Sequence, residues 1–453
     1  MTLREPELAR RDGFRLAAAI SVAALGVLVI ALSFAAGRAE AAGADALLWA
    51  GRLLIWIPLM LLAVAGGVPG HHRLAALVTQ AATQSLVKWM YSPRDFRFPD
   101  ELLHVRTSLE VAAHGTLSVE NPVLPISPAF PGLEAITDAL ASVGDMSIFT
   151  AGSIVAAVAH VALAAAVFGL ARLARLAGLG DRHAAIAALV FAVAPQQPMF
   201  NAMFIYLTPA LLLMVGALSL ALDSRAPRRL TAILSLACVA GVIVTHHVTA
   251  LVTLLLLALG AVVAAARADR DRARRLAMLT TGGVALAAGW LVTREGEVVR
   301  YLADPLLATI GGTSDAAQGE AELTSASPGA FALVLAYSAF AVAGILVAIG
   351  ALALWRRGGS VRRWAAVGSV GYFAVLGGRV LTGDGELATR AMTYICCPAR
   401  SRSRPSSWRS GRPAPPAADR ARGAAQVRSR ARRQPPLRQR HGAHLRFAPG
   451  ASA

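Results

Sequence analysis

The sequence predicts an all-α fold: a polytopic integral membrane helical bundle of about eleven transmembrane helices. Charged residues make up only 15% of the 453 residues, whereas a soluble domain averages about 25%. The apolar residues also form long blocks, such as 14–36 and 46–67, which reach the roughly 20 residues needed to cross a bilayer. These blocks show neither a polar face nor an alternation of polar and apolar residues. The pattern therefore excludes surface helices of a soluble protein and the strands of a barrel.

The predicted spans lie near 14–36, 46–67, 74–91, 149–170, 184–200, 207–222, 230–246, 248–266, 276–293, 331–355 and 364–381. The first is expected to be a retained anchor, because it is longer than the apolar region of a typical signal peptide and no small-residue cleavage site followed by a soluble domain comes after it. The third contains Gln80, Gln84 and Lys88, so two interpretations stay open: a transmembrane span, or an amphipathic helix on the membrane surface. His160, inside the fourth span, is expected to form a hydrogen bond between helices.

The distribution of arginine predicts the orientation. Basic residues occur at the N-terminus and then in alternate connections, at 71–73, 172–182, 225–229, 267–275 and 356–363. Since short cytoplasmic loops collect arginine, we expect a multi-pass protein of the plasma membrane with a cytoplasmic N-terminus. Loops 92–148 and 294–330 would then lie on the outer face. Without the third span every later loop would change sides, so the arginine pattern favours that span.

The C-terminal residues 396–453 differ from the membrane domain 1–395. They hold fourteen arginines against one acid, Asp419, and so supply +13 of the net charge of +18. With few branched aliphatic residues and no periodicity, the tail is predicted to be disordered. We favour a change of reading frame as its origin, which would leave an inactive fragment if essential spans were lost. The alternative is a basic tail for anionic lipid or nucleic acid. Because the rest of the chain is only mildly basic, we expect membrane lipids and no nucleic acid as partners.

The long outer loop 92–148 is predicted to carry short helices and the most specific chemistry. Asp100 is interpreted as the N-cap of a helix that Gly115 ends. Glu101 and His104 follow at helical spacing, which brings two carboxylates and an imidazole to one helix end. Ionised carboxylates there suit a general base or the ligands of a divalent cation, Mg²⁺ or Mn²⁺. The simpler alternative is that the pair only caps the helix.

Three further residues are candidates for substrate binding. His246 and His247 end the seventh span at the outer interface, where they would contact a phosphate or an acceptor; the alternative is a polar cap on a short hairpin. Arg390 lies in an outer segment, where its planar guanidinium would bind a phosphate, or would simply be solvated.

The acidic pair in the first large outer loop, the helix that follows and the turn Pro131–Glu134 resemble the GT-C superfamily of membrane glycosyltransferases, in particular its actinobacterial-type members. The resemblance covers roughly 74–250 and resumes at 386–395. It implies transfer of a sugar from a polyprenyl-phosphate donor to a glycan or lipid acceptor, generally with inversion. It also implies that Asp100 is the catalytic base and that Glu101 supports it.

One feature departs from the pattern of this superfamily. Many members carry a further acidic residue in the next outer loop, but residues 196–208 contain Asn201 and no carboxylate, so the metal ligands stay unassigned.

A multi-span transporter or flippase is the rival function, although the sequence shows no internal repeat and its charges cluster in loops rather than at mid-membrane.

Overall fold

The structure, a computed structural model, describes residues 5–117, 119–173, 180–192, 200–223 and 227–294, with a few short stretches between 298 and 367. This part of the chain is helical and contains no strand. Its eleven α-helices are α1 Glu5–Arg38, α2 Ala44–Val64, α3 Gly70–Tyr91, α4 Pro99–His114, α5 Gly132–Gly144, α6 Ile148–Leu173, α7 Asp181–Ala192, α8 Leu207–Leu222, α9 Arg228–Thr245, α10 His247–Ala265 and α11 Arg270–Thr293. One 3₁₀ turn, Ser127–Ala129, precedes α5.

Among the described residues, six helices are long and apolar enough to cross a membrane, so the all-α membrane fold is confirmed at that level. They are Arg11–Arg38, Ala44–Val64, Ile148–Leu173, Arg228–Thr245, His247–Ala265 and Arg270–Thr293. α8 is apolar but has only 16 residues. The number of eleven spans is not confirmed. Spans 331–355 and 364–381 fall almost entirely outside the described residues, as do most of loop 294–330 and the whole of tail 396–453.

Close packing of small residues joins α1 to α2. A Cβ atom placed on Gly26 would lie 2.7 Å from the carbonyl oxygen of Gly51, so the two backbones touch. Glycine permits this approach, and dispersion contacts between the backbones replace the hydrophobic effect that is missing between helices in lipid. Ile30 and Ile55 on either side of the contact are almost completely buried.

α3 packs between α1, α2, α6 and α7 with its polar face turned inward. Arg73, Gln80, Gln84 and Ser85 are all buried. A helix on the membrane surface would expose these side chains to water, so the surface-helix interpretation does not fit this packing. The hydroxyl of Ser85 lies 3.0 Å from Nδ1 of His160 on α6, which confirms the predicted hydrogen bond between helices.

Among the described residues, parts of four arginine-rich connections lie at one end of the bundle, called the arginine end here: those before α3, between α6 and α7, between α8 and α9, and before α11. Arg172 at the end of α6 pairs with Asp181 at the start of α7 at 2.9 Å. At the start of α11, Arg275 donates to the carbonyl of Asp223, which follows α8, at 2.8 Å. α6 and α8 run parallel, because Gly152 near the start of α6 lies against the Phe204 ring just before α8. The two contacts therefore share an end. The opposite end, called the site end, holds the connection between α3 and α6 and the junction of α9 with α10.

Candidate functional site

The helix that opens the candidate site has its N-cap two residues earlier than predicted. Pro99 is its first residue and Phe98 its N-cap. The side chain of Glu101 accepts the backbone N–H of Phe98 at 3.4 Å, which satisfies a donor that the helix leaves free. Asp100 is therefore inside the first turn, and its interpretation as the N-cap was wrong. Gly115 ends the helix with φ = 66°, as predicted, because glycine tolerates this left-handed conformation.

Glu101 lies in a buried ion pair with Lys88, the one lysine of the sequence. Its Oε1 atom also accepts the backbone N–H of Phe204 at 2.9 Å. The ammonium group of Lys88 lies 4.9 Å from the centre of the Phe96 ring, within the range of a cation–π contact. Both oxygens of Glu101 are thus engaged, and the carboxylate joins α4, α3 and the segment before α8. This geometry gives Glu101 a positioning role.

Asp100 contrasts with its neighbour. It is only half-buried, and within the described residues its carboxylate has neither a hydrogen bond nor an ion pair. It lies in the first turn of α4, where free N–H groups and the helix dipole favour a negative charge. A carboxylate with no partner and with access to solvent is free to accept a proton from a bound hydroxyl.

His104 joins α4 to α5 through a contact with Glu134. Its Nδ1 atom lies 3.0 Å from Oε1 of Glu134 on α5, and both side chains are almost fully buried. The other carboxylate oxygen, Oε2, is buried and has no hydrogen-bond partner among the described residues. A buried polar atom without a partner carries a free-energy cost of about 1–3 kcal/mol. Such an atom at a candidate site is available to a ligand.

Rings connect His104 to the junction of α9 and α10. The Tyr206 ring contacts His104 at 4.3 Å between centroids and His246 at 4.4 Å. His247 follows at 5.1 Å from His246 and lies 5.1 Å from Phe130. The structure therefore brings together three residues predicted from sequence, His104, His246 and His247. Tyr206, which joins them, was not among the candidates.

A hydrogen-bond network holds the rest of the outer loop over α4. The side-chain amide of Asn121 donates to Oγ1 of Thr107 at 2.8 Å and to the carbonyl of Leu103 at 3.2 Å. Thr107 in turn lies 3.0 Å from the hydroxyl of Ser127 in the 3₁₀ turn. On the other side, the indole N–H of Trp290 on α11 donates to the carbonyl of Ala129 at 2.9 Å. These contacts fix the position of α5, and with it Glu134.

Gly132 sets the distance between α5 and α9. A Cβ atom at this position would lie 2.2 Å from the hydroxyl oxygen of Thr245 and 3.0 Å from its Cα atom. The hydroxyl and the backbone leave no room for a side chain, so α5 packs directly on the residue before His246.

We expect Gly132→Ala to move α5 and to destabilise the protein by about 1–3 kcal/mol, as overpacking does elsewhere. Thermal unfolding of the purified protein would measure the loss. Gly169→Ala is the matched control, because no atom lies within 4 Å of that added Cβ on α6. Equal melting temperatures for the two variants would contradict the close packing of α5 on α9.

A cavity of about 730 Å³ opens beside α4 at the site end. Arg38, Arg94 and Arg97 line it together with one carboxylate, Asp45, and within the described residues none of the three arginines forms an ion pair. Aromatic side chains connect this cavity to α4, since Tyr91 in its wall stacks on Phe98 at 5.6 Å. Sequence reasoning missed this cluster because arginines in a loop usually indicate solvated charges. We call it the arginine cavity; it lies at the site end, opposite to the arginine end.

Two predictions are not addressed by the described residues. Arg390 lies outside them, and so do 386–395. In the described part of the chain, no group of three or more histidine, cysteine, aspartate or glutamate side chains is placed to hold a metal ion. The involvement of Mg²⁺ or Mn²⁺ stays a prediction.

Comparison with known proteins assigns no family to this chain. No protein-family model, no curated protein and no solved structure matches it. The roles of Asp100, Glu101, His104, His246 and His247 therefore rest on the chemistry of these residues and on their placement.

Proposed function

We propose that this chain is a membrane glycosyltransferase that moves a sugar from a polyprenyl-phosphate donor to a cell-envelope acceptor on the outer face of the plasma membrane. The observation that carries the proposal is the position of Asp100. This carboxylate, which has no partner among the described residues, lies in the first turn of α4, three residues after Arg97 of the arginine cavity. It is four residues before His104, whose ring contacts Tyr206, and Tyr206 in turn contacts His246.

Each group has a role in this proposal. Asp100 takes the proton of the acceptor hydroxyl, whose oxygen forms a bond to the anomeric carbon while the bond from that carbon to the phosphate oxygen breaks. Polyprenyl phosphate leaves, and a single displacement inverts the configuration. Since the phosphate is a good leaving group, positioning and deprotonation supply most of the catalysis. His104, His246 and His247 orient the acceptor.

The arginine cavity suits the donor. Guanidinium groups form paired hydrogen bonds to phosphate oxygens, and Arg94 and Arg97 are exposed in this cavity. Phe34, Leu48 and Tyr91 add an apolar wall that is compatible with a prenyl chain. We route no step through a divalent cation.

The test is transfer of a radiolabelled sugar from a synthetic polyprenyl-phosphate sugar to endogenous acceptors in membranes that contain the chain. The proposal requires label in the glycan or glycolipid fraction that exceeds the label in membranes lacking the chain. Absence of such label, with donor supplied at the outer face and the protein shown to be folded, would refute it.

We expect the paired change Arg94→Ala and Arg97→Ala to raise KM for the donor by about tenfold or more, because a hydrogen bond to a charged group contributes about 1.5–3 kcal/mol. Steady-state kinetics with varied donor would measure this. Arg106→Ala is the control, since Arg106 is equally exposed on α4 but does not line the cavity. The same KM in the paired variant and in the control would remove the cavity from donor binding.

A transporter or flippase is the second candidate, and one observation favours it. The side-chain amides of Gln80 and Gln84 on α3 are buried in the bundle, and none of their atoms has a hydrogen-bond partner among the described residues. Ionisable and polar groups inside a bundle commonly mark a substrate path. Uptake of a substrate by proteoliposomes, without formation of a glycan product, would select this function over transfer.

A further inference from the structure

A separate cavity of about 460 Å³ lies at the arginine end, between the last turn of α8 and the first turns of α9 and α11. Five arginines and two aspartates line it together with apolar residues. It is distinct from the arginine cavity of the site end, and the proposed transfer does not use it.

Two of the five arginines are already neutralised. Arg228 pairs with Asp271 at 3.3 Å, which links α9 to α11. Arg272 pairs with Asp269 at 3.0 Å within the first turn of α11. These pairs use both of the aspartates in the cavity wall.

A third arginine is part of the frame. Arg275 donates to the carbonyls of Leu220 at 2.7 Å and Asp223 at 2.8 Å, and so it satisfies the free carbonyls at the end of α8. The Asp223 carboxylate, which does not line the cavity, also interacts electrostatically with Arg275. Arg275 therefore holds the helices that form the cavity and is not available for a ligand.

Arg229 and Arg274 are the other two arginines that line this cavity. Both are exposed and line the cavity, and neither has a carboxylate partner in the part of the chain that the structure describes. Each guanidinium presents paired N–H donors that match phosphate oxygens, so two such groups lining one cavity suit a phosphate.

Apolar side chains form the wall towards the middle of α11. Met278 is 64% exposed and Leu236 is half-buried, and both line the cavity. α11 continues from there with exposed apolar residues such as Val284 and Leu286, which in a membrane-embedded protein contact acyl chains. The cavity is thus cationic at the helix ends and apolar towards the middle of α11.

We propose that this cavity binds the headgroup of an anionic phospholipid, with Arg229 and Arg274 on the phosphate and with Leu236 and Met278 against the first methylene groups. Basic pockets between membrane helices recognise such lipids through phosphate contacts combined with apolar contacts. Free phosphate would use only the two arginines, whereas a lipid also uses the apolar wall.

The experiment measures thermal unfolding of the purified full chain in a non-ionic detergent, with titrated dihexanoyl phosphatidylglycerol, dihexanoyl phosphatidylcholine or inorganic phosphate. Phosphatidylglycerol should raise the melting temperature saturably and the other two should not. The paired change Arg229→Ala and Arg274→Ala should raise the half-saturating concentration of phosphatidylglycerol about tenfold or more. Leu236→Ala should also raise this concentration.

The matched control is Arg267→Ala with Arg270→Ala. These two residues are exposed at the same end and carry the same charge, but they do not line the cavity, so the response to phosphatidylglycerol should be kept. An equal loss in both paired variants would overturn the proposal in favour of unspecific charge attraction. An equal response to inorganic phosphate would overturn it in favour of a free anion. The melting temperatures without lipid show that each variant is folded.

Discussion

Replacing Asp100 by Asn is expected to reduce sugar transfer by about 10²–10⁴-fold, the range over which general bases contribute to catalysis. The amide keeps the size and the position of the side chain but cannot accept the acceptor proton. Because Asp100 is half-buried and has no partner among the described residues, the change should leave folding and membrane insertion intact. The measurement is the turnover number with saturating donor, together with the melting temperature.

The matched control for this change is Asp95→Asn. Asp95 is an exposed carboxylate of the same connection, five residues earlier, and it does not line the arginine cavity. We expect its variant to keep the turnover number of the wild-type protein. Full activity in the Asp100 variant would remove the catalytic assignment, and equal losses in the two variants would attribute the effect to the charge of the loop.

The second large effect is expected at Lys88. Lys88→Met would leave the buried carboxylate of Glu101 without its counter-charge, and an uncompensated buried charge of this kind costs about 3–5 kcal/mol. The free energy of unfolding, measured by denaturant titration in micelles, should fall by that amount. Activity should fall with it, because Glu101 joins α4 to the segment before α8 through the N–H of Phe204.

The double variant Lys88→Met with Glu101→Gln distinguishes the ion pair from other effects of the lysine. The amide oxygen of glutamine can still accept the N–H of Phe204, and no charge remains buried. Replacing a buried ion pair by neutral groups is often close to neutral for stability, so most of the loss should be recovered. A double variant as unstable as Lys88→Met would show that the ion pair is not the cause.

The sequence predicted α4 well because its signals are local. The structure confirms Gly115 as the residue that ends the helix. Pro99 is the first helical residue, a position that proline favours, although the predicted N-cap at Asp100 left Pro99 outside the helix. The N-cap prediction failed because Glu101, at the third helical position, reaches back to the N–H of Phe98. From sequence alone, the Asp100–Glu101 dipeptide does not reveal which carboxylate caps the helix and which one stays free.

The partners inside the site were not predictable, because they depend on contacts between distant segments. Glu134 is 30 residues from His104, and Tyr206 lies in an apolar stretch that reads as the start of a span. The signal that was available is Lys88. A lysine on a helix that is expected to pack inside a membrane bundle indicates an acidic partner. In the sequence Lys88 weakens the prediction of a third span, whereas in the structure it forms the contact of that helix with Glu101.

We propose that Asp100 and the candidate site face the outside of the cell, opposite to the arginine end. The most direct measurement is labelling of intact cells with a membrane-impermeant maleimide. Asp100→Cys and, separately, Arg270→Cys would be made in a background with Cys238, Cys396 and Cys397 replaced by serine. We expect the Asp100→Cys variant to be labelled in intact cells and the Arg270→Cys variant to be labelled only after permeabilisation. An Asp100→Cys variant that takes up label only after permeabilisation would contradict the account.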